Sequence, residues 1–295
     1  MLIKLGTRAS RLALEQAKIV TGLLEARGAQ VEIVRIATTG DRKADWDRSE
    51  KGIFVAEIDE ALSSGAIDIA VHSLKDMPTA LPAGLELVCV PVRESPFDVV
   101  LPPGSFKSLE KGARVATSSI RRKAEVLRAR PDLSVVDLRG NVDTRLERLE
   151  RGDFEAMLLA EAGLRRLGVD ERKYERLPAE VVIPAPGQGA LAIAARHDAE
   201  SRLGAGWPAL AHSIEHQPSR LEAEAEREFI SAMGAGCHSP VGALARADGH
   251  GRITLYAGIG GTEKRILLEG TARNAQEAAA LGRHAAAELG GGLQS

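Results

Sequence analysis

One of the two cysteines stands near the C-terminal end of the chain, within the sequence Gly234-Ala-Gly-Cys237-His-Ser-Pro240. The preceding stretch, Leu221–Met233, has a strongly helical composition, and glycines at the end of a helix terminate it and free the backbone. We therefore expect Cys237 to lie on a loop of small residues and not beneath a helix. A thiol in that position can react, or can carry a covalently bound group.

The second cysteine, Cys89, lies within the apolar run Leu-Glu-Leu-Val-Cys-Val, so we expect it to be a buried thiol without chemistry. Two cysteines in 295 residues cannot build a disulfide framework, which fits a reducing compartment. No Cys or His cluster has the spacing of metal ligands, and we expect no metal site.

Arginines recur where predicted strands meet predicted helices, often beside hydroxyl groups. Guanidinium forks, hydroxyls and helix N-terminal amides together bind carboxylate or phosphate. Since the net charge is only −2, their clustering predicts a local anion-binding cleft, with scattered surface arginines as the alternative. The arginines at such junctions are Arg8, Arg11, Arg42, Arg121, Arg122, Arg139, Arg145, Arg165 and Arg166, and the neighbouring hydroxyls include Ser10, Thr117, Ser118 and Ser119.

Asp76 follows a predicted buried strand through the sequence His72-Ser73-Leu-Lys75. A carboxylate at a strand end can stabilise a developing cation or move a proton, although a turn residue or a salt-bridge partner is the alternative. Lys51 by itself is expected to be solvated. The same holds for the glutamates of the helix at 221–233, namely Glu222, Glu224, Glu226 and Glu228.

Strand and helix patterns alternate through the first two-thirds of the chain and predict two open α/β lobes. In such lobes ligands bind beyond the carboxyl ends of the strands, where the polar residues above are placed. A helix, three strands and a final Ala-rich helix predict a small α+β domain with an antiparallel sheet. The predicted domains are 1–92 with 190–208, 96–184, and 212–295, with Pro184–Gly189 as a hinge or linker.

The composition excludes several function classes. Aromatic residues make up 3% of the chain, so recognition by base stacking is not expected, and the charge gives no basic field for nucleic acid. The first residues lack a signal-peptide pattern and no apolar run has membrane-spanning length. We therefore expect a cytoplasmic protein without nucleic acid or membrane partners, and no feature of the sequence suggests more than a monomer.

The ordered motifs of nearly the whole chain resemble the porphobilinogen deaminase family, also called hydroxymethylbilane synthases. The similar segments are Gly-Thr-Arg8-Ala-Ser10-Arg-Leu-Ala-Leu, Thr-Thr-Gly-Asp41, Lys51-Gly-Ile-Phe, Ala-Val-His72-Ser73-Leu-Lys75-Asp76-Met-Pro, Ala-Thr117-Ser-Ser-Ile-Arg121-Arg122, Leu-Arg139-Gly-Asn-Val-Asp-Thr-Arg145-Leu, Pro-Gly-Gln188-Gly-Ala and Gly-Ala-Gly-Cys237-His. Many motifs in one order make this a specific signal.

The resemblance implies two lobes like those of periplasmic binding proteins and a third domain that presents Cys237. It implies a dipyrromethane cofactor attached to Cys237 through a thioether. Four porphobilinogen molecules are then joined head to tail with loss of ammonia, and hydrolysis releases the linear tetrapyrrole hydroxymethylbilane. Each pyrrole brings two carboxylates, which the arginine-rich cleft would complement.

The resemblance also implies roles for individual residues. Asp76 would stabilise the cation left when ammonia departs. The implied catalytic residues are Asp76, Arg8, Arg139 and Arg145. The implied cofactor-binding residues are Cys237, Lys75, Asp76, Thr117, Ser118, Ser119, Arg121, Arg122, Arg139 and Gln188. The implied substrate-binding residues are Arg8, Ser10, Ser73, Arg145, Arg166, Lys51 and Phe54, the last two on a loop over the cleft.

One departure from the family pattern and two alternative functions remain. Asp47 stands where some relatives carry a second lysine, which leaves the anion contacts of that loop open. A two-lobe anion-binding protein would explain the arginines, but it would not explain Cys237 or Asp76. A cysteine-nucleophile hydrolase would pair Cys237 with His238, although adjacent residues rarely face each other productively.

Overall fold

The structure is a computed structural model that describes residues 1–38, 55–235 and 239–291. Its residues group into two compact units. Unit 1 comprises Met1–Arg93 and Ala190–Arg220, and unit 2 comprises Glu94–Gly189 and Leu221–Ser295.

The described strands are β1 (Leu2–Arg8), β2 (Gln30–Ile36), β3 (Ile69–Ser73), β4 (Leu85–Cys89), β5 (Asp98–Leu101), β6 (Arg114–Ala116), β7 (Ser134–Val136), β8 (Ala156–Ala160), β9 (Glu175–Arg176), β10 (Leu191–Arg196), β11 (Val241–Ala247), β12 (Arg252–Ile259) and β13 (Arg265–Thr271). The described α-helices are α1 (Arg11–Glu25), α2 (Ala56–Ser63), α3 (Ser105–Ser108), α4 (Ile120–Ala129), α5 (Val142–Glu150), α6 (Glu161–Arg166), α7 (Ala199–Leu203), α8 (Trp207–Ile214), α9 (Gln217–Ala232) and α10 (Ala275–Glu288). Short 3-10 turns cover Leu74–Asp76 and Glu171–Lys173.

Unit 1 is built on a five-stranded sheet in the order β2-β1-β3-β10-β4. Strand β1 runs parallel to β2 and β3, whereas β10 is antiparallel to both of its neighbours. Helix α1 packs on this sheet because Ala13, Ala17, Val20 and Leu24 fall on one face. Ser10 caps the helix, since its Oγ accepts the Ala13 N–H at 3.4 Å.

The first part of unit 2 is a second five-stranded sheet in the order β7-β6-β8-β5-β9. Strand β6 is parallel to β7 and β8, while β5 is antiparallel to β8 and β9. Ser119 caps α4 by accepting the Arg122 N–H at 3.3 Å, and Asn141 caps α5 by accepting the Thr144 N–H at 3.0 Å. Both caps place a helix N-terminus directly after a strand.

The C-terminal part of unit 2 is the antiparallel sheet β11-β12-β13, whose apolar face packs against α9 and α10. The free edge of β11 is covered. The N–H of Ala243 donates to the Pro184 carbonyl at 3.0 Å. The next two outward-facing amides of β11 donate to carboxylates of α9. The Ala245 N–H donates to Glu226 at 2.7 Å, and the Ala247 N–H donates to Glu222 at 3.1 Å. The expectation of a solvated face is therefore wrong for Glu222 and Glu226, because unpaired edge amides need acceptors.

The described residues confirm the predicted fold class, with two open α/β sheets and a small α+β part that has an antiparallel sheet. The three-domain boundaries stay a prediction. None of the helices in the described ranges is long and apolar enough to cross a membrane.

Candidate functional site

A cavity of about 70 Å³ opens in unit 1 at the carboxyl ends of β1 and β3. Arg8 is the last residue of β1, Ser10 caps α1, Ser73 ends β3, and Asp76 closes the 3-10 turn that follows. All four line the cavity. They meet because β1 and β3 are parallel neighbours whose ends lie at one edge of the sheet.

Asp76 is exposed, and its carboxylate makes no hydrogen bond or ion pair with any described residue. Lys75 lies beside it in the same turn and is half-buried. A carboxylate that is open to the cavity is available to stabilise a cation brought there by a ligand.

Two further buried polar residues line the same cavity. Gln16, 5% exposed, donates from Nε2 to Ser73 Oγ at 2.8 Å. His72 is also 5% exposed; burial, reinforced by the charge of Arg8, lowers the pKa of its imidazole to about 4. The imidazole is therefore neutral at physiological pH, and its Nε2 has no hydrogen-bond partner among the described residues.

Sequence reasoning passed over Gln16 and gave His72 no role. The available signal for Gln16 was a polar residue next to Ala17 in the apolar stripe of α1. A polar residue on a buried face requires a partner, which here is Ser73.

In unit 2 the predicted hydroxyl turn follows β6. Thr117 is buried and its Oγ1 accepts the Ser119 N–H at 3.2 Å. Ser118 donates to the Leu138 carbonyl, and Ser119 serves as the cap of α4. These hydroxyls hold the turn in shape at the N-terminus of α4.

Arg121 and Arg122, the second and third residues of α4, converge on Asp98, which is 0% exposed. Arg121 Nη1 donates to Asp98 Oδ2 at 2.7 Å and to the Ile183 carbonyl, and Arg122 Nε donates to Oδ1 at 2.8 Å. Gln188 Nε2 donates to the Pro96 carbonyl at 2.7 Å and to Asp98 Oδ1 at 3.1 Å. We call these four residues the Asp98 cluster: Asp98, Arg121, Arg122 and Gln188.

Burial alone would raise the pKa of Asp98, but the Arg121 and Arg122 guanidinium groups outweigh it and hold that pKa far below the ordinary carboxyl value. Asp98 is thus a charged anchor that sequence reasoning did not identify. Its signal was an acidic residue opening an otherwise apolar strand, Asp-Val-Val-Leu.

Arg145 and Arg166 form no ion pair with a carboxylate within the described ranges. Arg145 Nε donates to the Gly140 carbonyl at 2.8 Å, and Arg166 Nη2 donates to the Gly189 carbonyl at 2.7 Å. Burial lowers the pKa of each guanidinium to about 10; the charge of Arg122 adds to the effect at Arg145, whereas Glu94 opposes it at Arg166. Both remain charged at neutral pH and are partly desolvated, and neither pairs directly with a carboxylate of the described residues, which suits an anion site.

Other predicted site residues are placed differently or fall outside the described ranges. Arg139 lies exposed on the loop after β7. Lys51, Phe54 and Cys237 lie outside the described residues, as does Asp47. Across the described part of the chain, no group of His, Cys, Asp and Glu side chains could hold a metal ion.

Comparison with known families gives two matches that together span most of the chain. The family described as "Porphobilinogen deaminase, dipyromethane cofactor binding domain" matches residues 3–203, and "Porphobilinogen deaminase, C-terminal domain" matches residues 220–291.

Among solved structures, the BvgS VFT2 domain of Bordetella pertussis is similar at a TM-score of 0.43 and 16% identity, over 72% of this chain and 86% of that one. DctP7, an extracytoplasmic solute receptor of the same organism, is similar at a TM-score of 0.42 and 12% identity, over 78% and 83% of the two chains. These are broad likenesses only.

Curated relatives are much closer. The porphobilinogen deaminase of Roseiflexus castenholzii is 42% identical over 294 residues, covering 97% of this chain and 95% of the relative. That of Thermus thermophilus is 44% identical over 283 residues, covering 93% and 92%. The resemblance seen in the motifs is confirmed, and the chain belongs to the porphobilinogen deaminase family.

Proposed function

We propose that the unit 1 cavity holds the reaction centre for the family's activity, with Asp76 as its central catalytic group. Family membership gives a transferase that acts on porphobilinogen with a dipyrromethane cofactor, and it leaves the binding-protein and hydrolase alternatives without support. The observation that carries the residue assignment is the open carboxylate of Asp76, which lines one cavity with Arg8, Ser10 and Ser73.

In this proposal Asp76 stabilises the positive charge that develops on the substrate as ammonia leaves. Arg8 and Ser10 bind a substrate carboxylate, since a guanidinium and a hydroxyl at a helix N-terminus are suited to an anion. Ser73 assists them. Ser73 Oγ already accepts a hydrogen bond from Gln16 Nε2, so the Ser73 O–H can donate to a group bound in the cavity.

The residues of unit 2 fit a cofactor that carries several carboxylates, because Arg145 and Arg166 are partly desolvated cations without a carboxylate partner in the described ranges. When bound, the dipyrromethane supplies the pyrrole carbon to which the next unit is joined. The residues proposed to hold cofactor or substrate there are Thr117, Ser118, Ser119, Arg121, Arg122, Arg139, Arg145, Arg166 and Gln188.

Within that set we propose two different roles, one in holding α4 and one in supplying charge to the ligand. Arg121 is committed to Asp98 and Ile183, so we propose that it acts by holding α4 in place. Arg122, Arg145 and Arg166 supply positive charge toward the ligand. Lys75 in the unit 1 turn, and Lys51 and Phe54 in sequence near α2, complete the proposed set of contacts.

Covalent attachment of the cofactor at Cys237 is also part of the proposal, as are a monomeric state, a cytoplasmic location and the absence of metal. Intact mass of the denatured protein tests the attachment. The wild type is expected to carry the mass of two linked pyrroles, and Cys237→Ser is expected to lack it. Metal analysis and light scattering on the same sample test the remaining points.

The role of Asp76 is tested by steady-state turnover of porphobilinogen in Asp76→Asn. We expect kcat to fall about 100-fold or more, since one preorganised electrostatic group commonly contributes that much. Glu86→Gln, which neutralises an exposed carboxylate of β4, is the matched control and should keep kcat. Near-normal kcat in Asp76→Asn would refute the assignment.

A further inference from the structure

Glu226 of α9 is completely buried, at 0% exposure, and its carboxylate joins two backbone segments that are distant in sequence. Its Oε2 accepts the Gly187 N–H at 2.5 Å, and its Oε1 accepts the Ala245 N–H at 2.7 Å. Gly187 belongs to the segment 184–189, and Ala245 lies in β11. One side chain therefore fixes both segments to the helix.

The segment held by Glu226 is the one that carries Gln188. Gln188 is also 0% exposed, and its side chain donates to Pro96 and Asp98. Gly187 lies in a turn that is closed by the Gln188 N–H, which donates to the Ala185 carbonyl at 2.9 Å, so a displacement of the Gly187 amide disturbs the turn that holds Gln188. Glu226 thus lies one peptide away from the Asp98 cluster.

A carboxylate suits this position for a chemical reason. Both partners are N–H donors, and an ionised carboxylate can accept from each with a different oxygen. A glutamine of the same shape can accept from one amide only, and it presents its own N–H group to the other. Replacement by glutamine therefore breaks one of the two attachments while preserving volume.

We propose that Glu226 is a positioning residue for the reaction: its carboxylate fixes the 184–189 segment and so keeps Gln188 in the place where it donates to Asp98 and accepts from Arg122 Nη2 at 3.4 Å. The inference rests on the proposed role of Gln188 and Arg122 in binding cofactor or substrate. It predicts that substitutions of Glu226 and Gln188 lower turnover through the same effect, the loss of Gln188 from its place.

Glu222 provides the matched control. It lies one turn earlier on α9, is 6% exposed, and accepts the Ala247 N–H of the same strand edge at 3.1 Å. Glu222→Gln therefore perturbs the same helix and the same strand through an equivalent bond. Both variants should lower the melting temperature, so stability alone does not separate them.

The test is a double-mutant cycle on kcat/KM for porphobilinogen in the full-length, cofactor-loaded enzyme. We expect Glu226→Gln and Gln188→Ala each to lower kcat/KM about 10-fold, and the double variant to lose about 10-fold to 20-fold, well short of the product of the two. Glu222→Gln should remain within about twofold of wild type. Amide hydrogen exchange at Gly187 should become faster in Glu226→Gln and stay unchanged in Glu222→Gln.

Multiplicative losses in the double variant, or equal kcat/KM in Glu226→Gln and Glu222→Gln, would overturn the inference. If Gln188→Ala alone keeps full kcat/KM, the proposed role of Gln188 fails. In that case two measurements on Glu226→Gln test its positioning role, the exchange rate of the Gly187 amide and kcat/KM. The role is supported if both change, and it is overturned if one of them equals the wild-type value. Should Glu226→Gln not fold, Glu226→Asp, which retains the charge, is used in the same cycle.

Discussion

Arg122 and Asp98 form a buried ion pair in which the guanidinium Nε donates to Oδ1 at 2.8 Å. Arg121 binds the second oxygen of the same carboxylate, so two cations share one anion and the cluster keeps a net positive charge. This positive charge also acts on Arg145, because the charge of Arg122 contributes to the lowered pKa of the Arg145 guanidinium. The Asp98 cluster thus anchors α4, and the charge of Arg122 reaches the neighbouring guanidinium of Arg145.

The first prediction concerns removal of this anchor. Asp98→Asn leaves two buried guanidinium groups facing a neutral amide, whose N–H₂ group repels one of them. Breaking a buried pair from one side commonly costs about 3–5 kcal/mol. We therefore expect the unfolding free energy at pH 7, measured by urea denaturation, to fall by roughly that amount.

The loss in Asp98→Asn should depend on pH. Because the folded-state pKa of Asp98 is depressed, its contribution is present above the ordinary carboxyl pKa and is lost as pH falls. The difference from wild type should therefore shrink below pH of about 4. Asp153→Asn, which removes a partly exposed pair with Arg148, is the control and should cost about 1 kcal/mol or less. Equal losses in the two variants would contradict a stabilising role for the cluster.

The second prediction separates binding from stability at Arg145 and Arg166. Because neither forms an ion pair with a carboxylate in the described ranges, Arg145→Gln and Arg166→Gln should keep or raise the melting temperature. Loss of a charge-assisted contact should raise KM for porphobilinogen about 10-fold. Arg151→Gln, an exposed arginine of the same lobe, serves as the control. A fall in melting temperature with an unaltered KM would assign these arginines to the structure instead of the ligand.

The third prediction follows from the neutral imidazole of His72. Its pKa is about 4 in the folded protein against an ordinary value of 6.5, so the unfolded chain binds a proton that the folded chain excludes between these two values. Stability therefore decreases as pH falls from about 6.5 to about 4, by up to about 3 kcal/mol from this group. Replacement by a residue that does not titrate should remove this component.

The measurement for His72 is the unfolding free energy of wild type and His72→Gln at several pH values from 4 to 8. The difference in unfolding free energy between the two proteins should change by up to about 3 kcal/mol between pH of about 6.5 and about 4, and it should stay constant above pH of about 7.5. His250→Gln, an exposed histidine, should track wild type throughout. A constant gap at every pH would show that His72 titrates alike in both states.

Local signals predicted most of the fold. The Ala13–Leu24 stripe and the caps Ser10 and Ser119 can be recognised in the sequence, because helix period and capping depend on nearby residues. Strand β10 was not predicted, since Leu-Ala-Ile-Ala-Ala-Arg has weak strand propensity. It forms because β3 and β4 each offer it an antiparallel edge, which is a tertiary effect.

The site was predictable in its residue types and less so in its contacts. The motif around Arg121 and Arg122 predicted anion binding, but no local pattern indicates that both side chains turn toward Asp98, 23 and 24 residues earlier in the chain. Likewise, Glu226 has the sequence context of a solvated helix face. Its burial depends on the free edge of β11 and the Gly187 amide, which only the folded chain brings to it.

The last prediction tests the backbone at the end of the 184–189 segment. Gly189 has φ of +87°, and a Cβ there would lie 2.3 Å from Glu94 O and 2.7 Å from Ser95 O. Its carbonyl accepts the Glu94 N–H at 3.2 Å as well as the Arg166 guanidinium. Gly189→Ala must therefore displace backbone that cannot move cheaply, and it moves the acceptor that orients Arg166.

We expect Gly189→Ala to lower the unfolding free energy by about 3 kcal/mol or more, because steric overlap adds to left-handed backbone strain. Gly152→Ala is the matched control, with φ of +76° and no atom within 4 Å of the added Cβ, and it should lose only about 1–2 kcal/mol from backbone strain. Urea denaturation measures both, and KM for porphobilinogen should rise in Gly189→Ala alone. If the two variants are equally stable, contact with Glu94 and Ser95 does not restrict this position, and the requirement for glycine there is conformational only.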